Sequence, residues 1–135
     1  MKKLIINIVL FVVAVILLIT LGTVGLVYTF FSSFVHFKNK SFLKYWGNLL
    51  YQINIGIDQI GNVLLGEFLN KFAVHKLEHP FGKVNETISY AIARNRGSLT
   101  IFGQLIHDII DWIDRGHFDK ALLREGNRES VDGRQ

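Results

Sequence analysis

From Leu4 to Val35 the sequence carries no charged side chain. The run is longer than the 18 or so uncharged apolar residues that mark a membrane-spanning helix. At about 1.5 Å per residue a helix of this length reaches roughly 45 to 50 Å, against a hydrocarbon core of about 30 Å. One span fits with excess. Two do not, because each needs about 20 residues plus a turn, and Thr20, Gly22, Thr23 and Gly25 form no loop signature in the middle. A cleaved secretory signal is the competing interpretation, with Lys2 and Lys3 as its basic start. Its apolar region would end after about 7 to 15 residues at a small-residue cleavage site, whereas Leu26, Val27, Tyr28, Phe30 and Phe31 carry this run onward. The expectation is a retained single-pass anchor over residues 1–37. Tyr45, Trp46, Lys38, Lys40 and Lys44 then sit at the headgroup layer. Basic residues nearly tie across the span, which leaves its orientation open.

Residues 38–125 are enough for one small domain, and the periodicity predicts an all-α one. Trp46, Leu50, Ile53, Ile57, Ile60 and Leu64 recur at steps of four and three on one seam of a helix over about 41–72. That seam packs on its own domain, lies in the membrane interface or pairs with a copy of itself. Gly47, Gly56, Gly61 and Gly66 interrupt the helix or allow something to approach its backbone closely. Pro80, the only proline, ends the next segment, with His75 to His79 on a fraying helix end. Asn85 caps a short helix over about 86–94, and Ser98 caps a further one over about 99–114. There Phe102, Leu105, Ile106, Ile109, Ile110 and Ile113 define a buried face, opposite Asp108, Asp111, Asp114, Gln104 and His107. A short helix over about 117–124 follows Gly116, and residues 126–135 read as a disordered tail. The formal charge of +4 is spread along the chain, which gives no clustered footprint for nucleic acid. The absence of cysteine excludes disulfide staples and thiolate metal sites.

Two constellations bear on chemistry. His75, Lys76, Leu77, Glu78 and His79 match the H-x-x-E-H pattern of inverted zinc peptidases, whose histidines bind zinc and whose glutamate activates water. That chemistry needs a third ligand and a walled cleft. Pro80 follows at once, so His75 and His79 are metal candidates by spacing alone, and neither metal nor cofactor is expected. His107, Asp108, Asp111, Asp114 and His117 form a second cluster that a solvated helix face explains. Glu86, Thr87 and Ser89 read as helix-start chemistry without a base partnered to a nucleophile.

Asp58, Gln59, Gly61 and Asn62 lead into Leu64, Leu65 and Gly66; Glu86, Thr87, Ile88 and Ser89 follow, then Ile110, Asp111 and Trp112 before Gly116, His117 and Lys120. In this order they resemble a family of small proteins common in phages and prophages. Those proteins carry D-Q-x-x-N-x-L-x-G, then D-E-T-I-S-S-R, an apolar helix, and G-H-C or N-H-C near the end. The resemblance covers roughly residues 58–124. The chain departs from the pattern by the insertion of Glu67 to Asn85, by Phe118 where the family has cysteine, and by the added anchor. What the resemblance implies is a phage-associated origin and a compact helical domain, with no catalytic residue to carry over; the anchor and that origin together make the host inner membrane the expected location. The expected function is therefore that of a non-enzymatic, membrane-anchored helical adaptor whose partners are the lipid bilayer and a protein or a second copy at the membrane. A holin-like or superinfection-exclusion protein that oligomerises through Gly22 and Gly25 is the first alternative, and a small metal-dependent enzyme is the second.

Overall fold

The computed structural model describes residues 1–36 and 39–132. Lys38, residues 133–135 of the expected tail and the side chain of Lys40 lie outside the described residues. The chain is all-α. Its helices are α1 (Lys2–His36), α2 (Asn39–Phe72), α3 (Ile88–Arg94), α4 (Ile101–Ile113) and α5 (His117–Asp132), with a 3-10 turn at Arg96–Ser98 between α3 and α4. Among the described residues the one extended pairing is an isolated antiparallel bridge between Val74 and Leu99. Two compact units result, residues 1–49 and 50–135, and the division between them falls inside α2.

In the first unit, α1 is long and apolar enough over Lys2–Ser33 to cross a membrane, and the most apolar stretch of it has no buried residue. Three of its hydroxyls are absorbed by the helix itself. Thr20 Oγ1 donates to the Ile16 carbonyl at 2.8 Å, Thr23 to Ile19 at 2.5 Å and Ser33 to Thr29 at 2.5 Å. Such bonds to the carbonyl four residues back satisfy these three hydroxyls without water, as hydrocarbon requires. Trp46 gathers an aromatic cluster from Phe30, Phe42 and Tyr45, with ring centroids 5.9, 6.2 and 6.4 Å away.

The second unit is built around α3, a seven-residue helix whose Ser89, Tyr90, Ala91, Ile92 and Ala93 are all buried. Leu69, Ala73, Val74, Phe81 and Phe118 complete the core, with Ile88, Leu99, Ile106, Ile110 and Leu122 packed at its edge. The chain leaving α2 is zipped to the chain entering α4. His75 N–H donates to the Ser98 carbonyl at 2.7 Å, Thr100 N–H to Ala73 at 3.0 Å, and Thr100 Oγ1 to Phe72 at 2.6 Å. Two glycines permit the closest approaches. A Cβ on Gly66 would stand 2.6 Å from Gly82 Cα, and one on Gly103 only 2.2 Å from the Ala73 carbonyl oxygen.

Of the three settings open to the α2 seam, packing on its own domain is not the one observed, and α4 is rotated from the expected face, with Ile106 and Ile110 alone of its six residues against the core. On α2 the seam residues Leu50, Ile53, Ile57, Ile60 and Leu64 are exposed, Leu64 at 72%, while Asn62, Gly66 and Leu69 face inward. On α4, Gly103 and His107 are buried and Ile106 and Ile110 half-buried, whereas Phe102, Leu105, Ile109 and Ile113, assigned to a buried face, are exposed. Ile101 at 90% and Trp112 at 83% extend that exposed face. The reason is the glycine-permitted contact: Gly103 has to face Ala73, and with Gly103 inward the helical period sends residues 101, 105, 109 and 112 outward. On α2 the inward face is spent on hydrogen bonds to the irregular segment 74–87, whose backbone would otherwise lack partners.

The helix starts differ too. Thr87, not Asn85, caps α3, accepting from Tyr90 N–H, and Thr100, not Ser98, caps α4, accepting from Gly103 N–H. α2 ends at Phe72, so His75 to His79 belong to no helix, and α5 continues to Asp132 through part of the expected disordered tail.

Candidate functional site

One inward stripe of α2, Asp58, Asn62, Gly66 and Asn70, repeats every four residues and reads the segment 81–89 in reverse order. Asp58 Oδ1 accepts from Ile88 N–H at 3.0 Å, and its Oδ2 accepts from Ser89 Oγ at 2.6 Å. Asn62, fully buried, donates to the carbonyls of Lys83 at 3.1 Å and Glu86 at 3.0 Å and accepts from Gly82 N–H at 3.2 Å. Asn70 accepts from Phe81 N–H at 2.8 Å. Gln59 adds an exposed bond to the Asn85 carbonyl at 3.3 Å. Residues that carry the resemblance thus meet one another across 30 positions of sequence.

Glu86 and Thr87 feed two further clusters. Glu86, buried, accepts from His79 Nε2 at 2.6 Å and from Lys83 Nζ at 2.9 Å, and the His79 ring meets the Tyr90 ring edge-on at 5.4 Å. Thr87 gives its N–H and its hydroxyl to the two oxygens of Glu125, at 3.0 and 2.6 Å. Arg124 closes this group on Glu125 Oε1 at 2.5 Å. Burial opposes the Arg124 charge, but hydrogen bonds to Glu125 and Tyr51 outweigh it, so its pKa is raised.

Ser89 has a second neighbour that the sequence reading missed. His117 Nε2 lies 3.1 Å from Ser89 Oγ, and His117 Nδ1 lies 3.0 Å from Asp114 Oδ2. Serine, histidine and aspartate are therefore in a row, as in hydrolases that activate a serine. The proton runs the other way. The single Ser89 hydroxyl proton is directed to Asp58 Oδ2, which leaves Ser89 no proton to give His117 Nε2 in this arrangement. Ser89 is also buried. Lys120 Nζ contacts Asp114 Oδ1 at 2.5 Å, and this bond, together with the one from His117, holds the Asp114 carboxyl below its ordinary pKa. Gly116 N–H donates to Asp111 Oδ1 at 2.9 Å, closing the turn that delivers His117.

The histidine pair is not brought together on one helical face, as the sequence reading had allowed. His79 is buried against Glu86, whereas His75 is exposed and lines a shallow groove of about 400 Å³ with Leu99, Thr100, Ile101, Gln104, Leu105 and Asp108. In the second cluster, His107 leaves the acidic face. Its ring is buried and stacked on Phe118 at 4.4 Å, with Nδ1 held by Asp108 at 3.0 Å. That bond lowers the Asp108 pKa. Among the described residues no group of three His, Cys, Asp or Glu side chains is disposed to hold a metal ion.

Sequence reasoning also missed Asn70, Asn95 and Glu125. Asn95, fully buried, accepts from the N–H groups of Glu78 and His79, both at 3.0 Å, and donates to the carbonyls of His79 and Ala91 at 2.6 and 2.8 Å. Spacing four residues beyond Gly66 was the available signal for Asn70; Asn95 and Glu125 had none, since polar residues near helix ends are ordinary there. No protein-family model, curated protein or solved structure matches the chain.

Proposed function

We propose that the chain is a non-enzymatic, membrane-anchored helical protein of phage or prophage origin that works by contact through the outward faces of α2 and α4. One observation carries this reading. The polar residues of the shared motifs bond to one another inside the domain, while the large apolar residues of two helices stand outside it. A protein-like surface scatters such residues singly; a continuous strip of them marks a site of association. The span α1 supports placement of that strip at a membrane, and the order of the motifs supports the phage origin.

A cysteine placed at Ile109, in a chain with none of its own, and labelled with benzophenone should give discrete photo-adducts with protein or lipid in native membranes. The same label at exposed Asp119 should give neither. If Ile109 forms no adduct of either kind, the contact reading fails.

A further inference from the structure

We propose that the occupant of this strip is the bilayer itself: the outward faces of α2 and α4 lie in the boundary between lipid headgroups and acyl chains. The inference rests on the contact reading above and names its partner. Three observations favour lipid over a second copy.

The first is continuity. α1, long and apolar enough to cross a membrane, is followed after two residues by α2, whose exposed seam runs from Leu50 through Ile57 and Leu64 to Phe72. An apolar phase is then tethered to the domain by its own chain, and association with it carries no cost of bringing two molecules together. The second is the joining of the stripes. Phe68 of α2 lies edge-on to Phe102 of α4 at 5.8 Å and 4.9 Å from Phe72, and from Phe102 the face continues through Leu105, Ile109 and Trp112. Two helices thus contribute one continuous apolar strip, as interfacial helices do when they bury roughly 5–10 Å into lipid.

The third is the polar trim. Lys71 sits within the α2 stripe with Nζ 5.4 Å from the Phe72 ring centroid, a place where a long side chain can lift its ammonium to the headgroups. In the centre of a protein–protein contact the same charge would be stranded, and lysine is depleted there. On α4, Gln104, Asp108 and Asp111 form one edge of the strip, with Asp108 beside Ile101 and Leu105 in the same groove, so carboxylates border the apolar face on the side away from Ile109.

The chain has two tryptophans, Trp46 and Trp112, so Trp46→Phe in the full-length protein leaves Trp112 as the sole reporter on α4. It is to be reconstituted in phosphatidylcholine vesicles with and without brominated acyl chains, at two protein-to-lipid ratios. Bromolipid should quench Trp112, aqueous iodide should not, and dilution into excess lipid should change neither. A chain with Trp46→Phe, Trp112→Phe and Leu64→Trp should behave the same way for α2. Iodide quenching without bromolipid quenching shows a solvated face and overturns the proposal. Protection from both quenchers that weakens on dilution shows a second copy on the strip; that outcome overturns lipid docking and leaves the contact reading intact.

Discussion

Replacing Asn62 by alanine removes the side chain that holds most of the segment 82–86 in place. Its three hydrogen bonds serve the carbonyls of Lys83 and Glu86 and the N–H of Gly82. A buried polar group left without a partner costs about 1–3 kcal/mol. Glu86 is buried, but Lys83 is exposed and Gly82 only half-buried, so water can recover part of the loss at two of the three groups. The expected destabilisation is about 3–5 kcal/mol. A domain of this size has on the order of 4–13 kcal/mol in total, so the variant should stand close to unfolding. Gln59→Ala is the matched control three residues away, since it removes one exposed bond at 3.3 Å and should cost less than about 0.5 kcal/mol. Pulse proteolysis of the full-length protein in detergent across a urea series reads both. If Asn62→Ala unfolds within about 0.5 kcal/mol of the parent, the inward stripe of α2 is not what secures the segment.

Gly56 of α2 and Gly103 of α4 should respond with opposite signs. Gly56→Ala, with nothing within 4 Å of the new methyl, should stabilise by about 1 kcal/mol through helix propensity, whereas Gly103→Ala drives a methyl into the Ala73 carbonyl and should destabilise by about 1–3 kcal/mol net of that gain; the same proteolysis series compares them. His79→Ala leaves buried Glu86 short of a partner and should destabilise markedly, while His75→Ala at an exposed position should not. Asp114 has a lowered pKa from Lys120 and His117. A depressed carboxyl stabilises the fold above its unfolded value of 3.8 and loses that contribution as pH falls through the folded value. Asp114→Asn should therefore lower stability by a constant amount at neutral pH and flatten the acid limb of the stability profile. A fluorophosphonate probe should leave Ser89 unlabelled, and labelling would show that its hydroxyl is not committed to Asp58.

The anchor was legible because thirty-odd uncharged residues admit few structures, and the succession of four further helices followed from periodicity, although the caps of α3 and α4 lie two residues beyond Asn85 and Ser98. The face assignments of α2 and α4 were not legible. Periodicity identifies a seam such as Leu50, Ile57 and Leu64 but carries no information about what covers it, and burial on the domain core was the natural default. The decisive facts are contacts distant in sequence: Gly103 against Ala73 and Gly66 against Gly82. The candidate site was half legible. Asp58, Asn62, Glu86, Thr87 and Ser89 stood out as motif positions, yet their convergence on one network depends on the path of segment 74–87, and the sequence suggested a frayed helix and a loop there. For the same reason the Ser89–His117 contact stayed hidden, since Gly116 was read as a helix stop and not as the turn that brings His117 back to α3.

The central claim, that α4 turns its apolar face away from the domain, is tested most directly by a nitroxide scan of residues 101–113 in the full-length protein in vesicles. Collision with oxygen should rise and fall with the helical period, with maxima at 101, 105, 109 and 112 and minima at 103, 107 and 110. The same period with its phase reversed, so that 105 and 109 are the most shielded positions, would contradict the account.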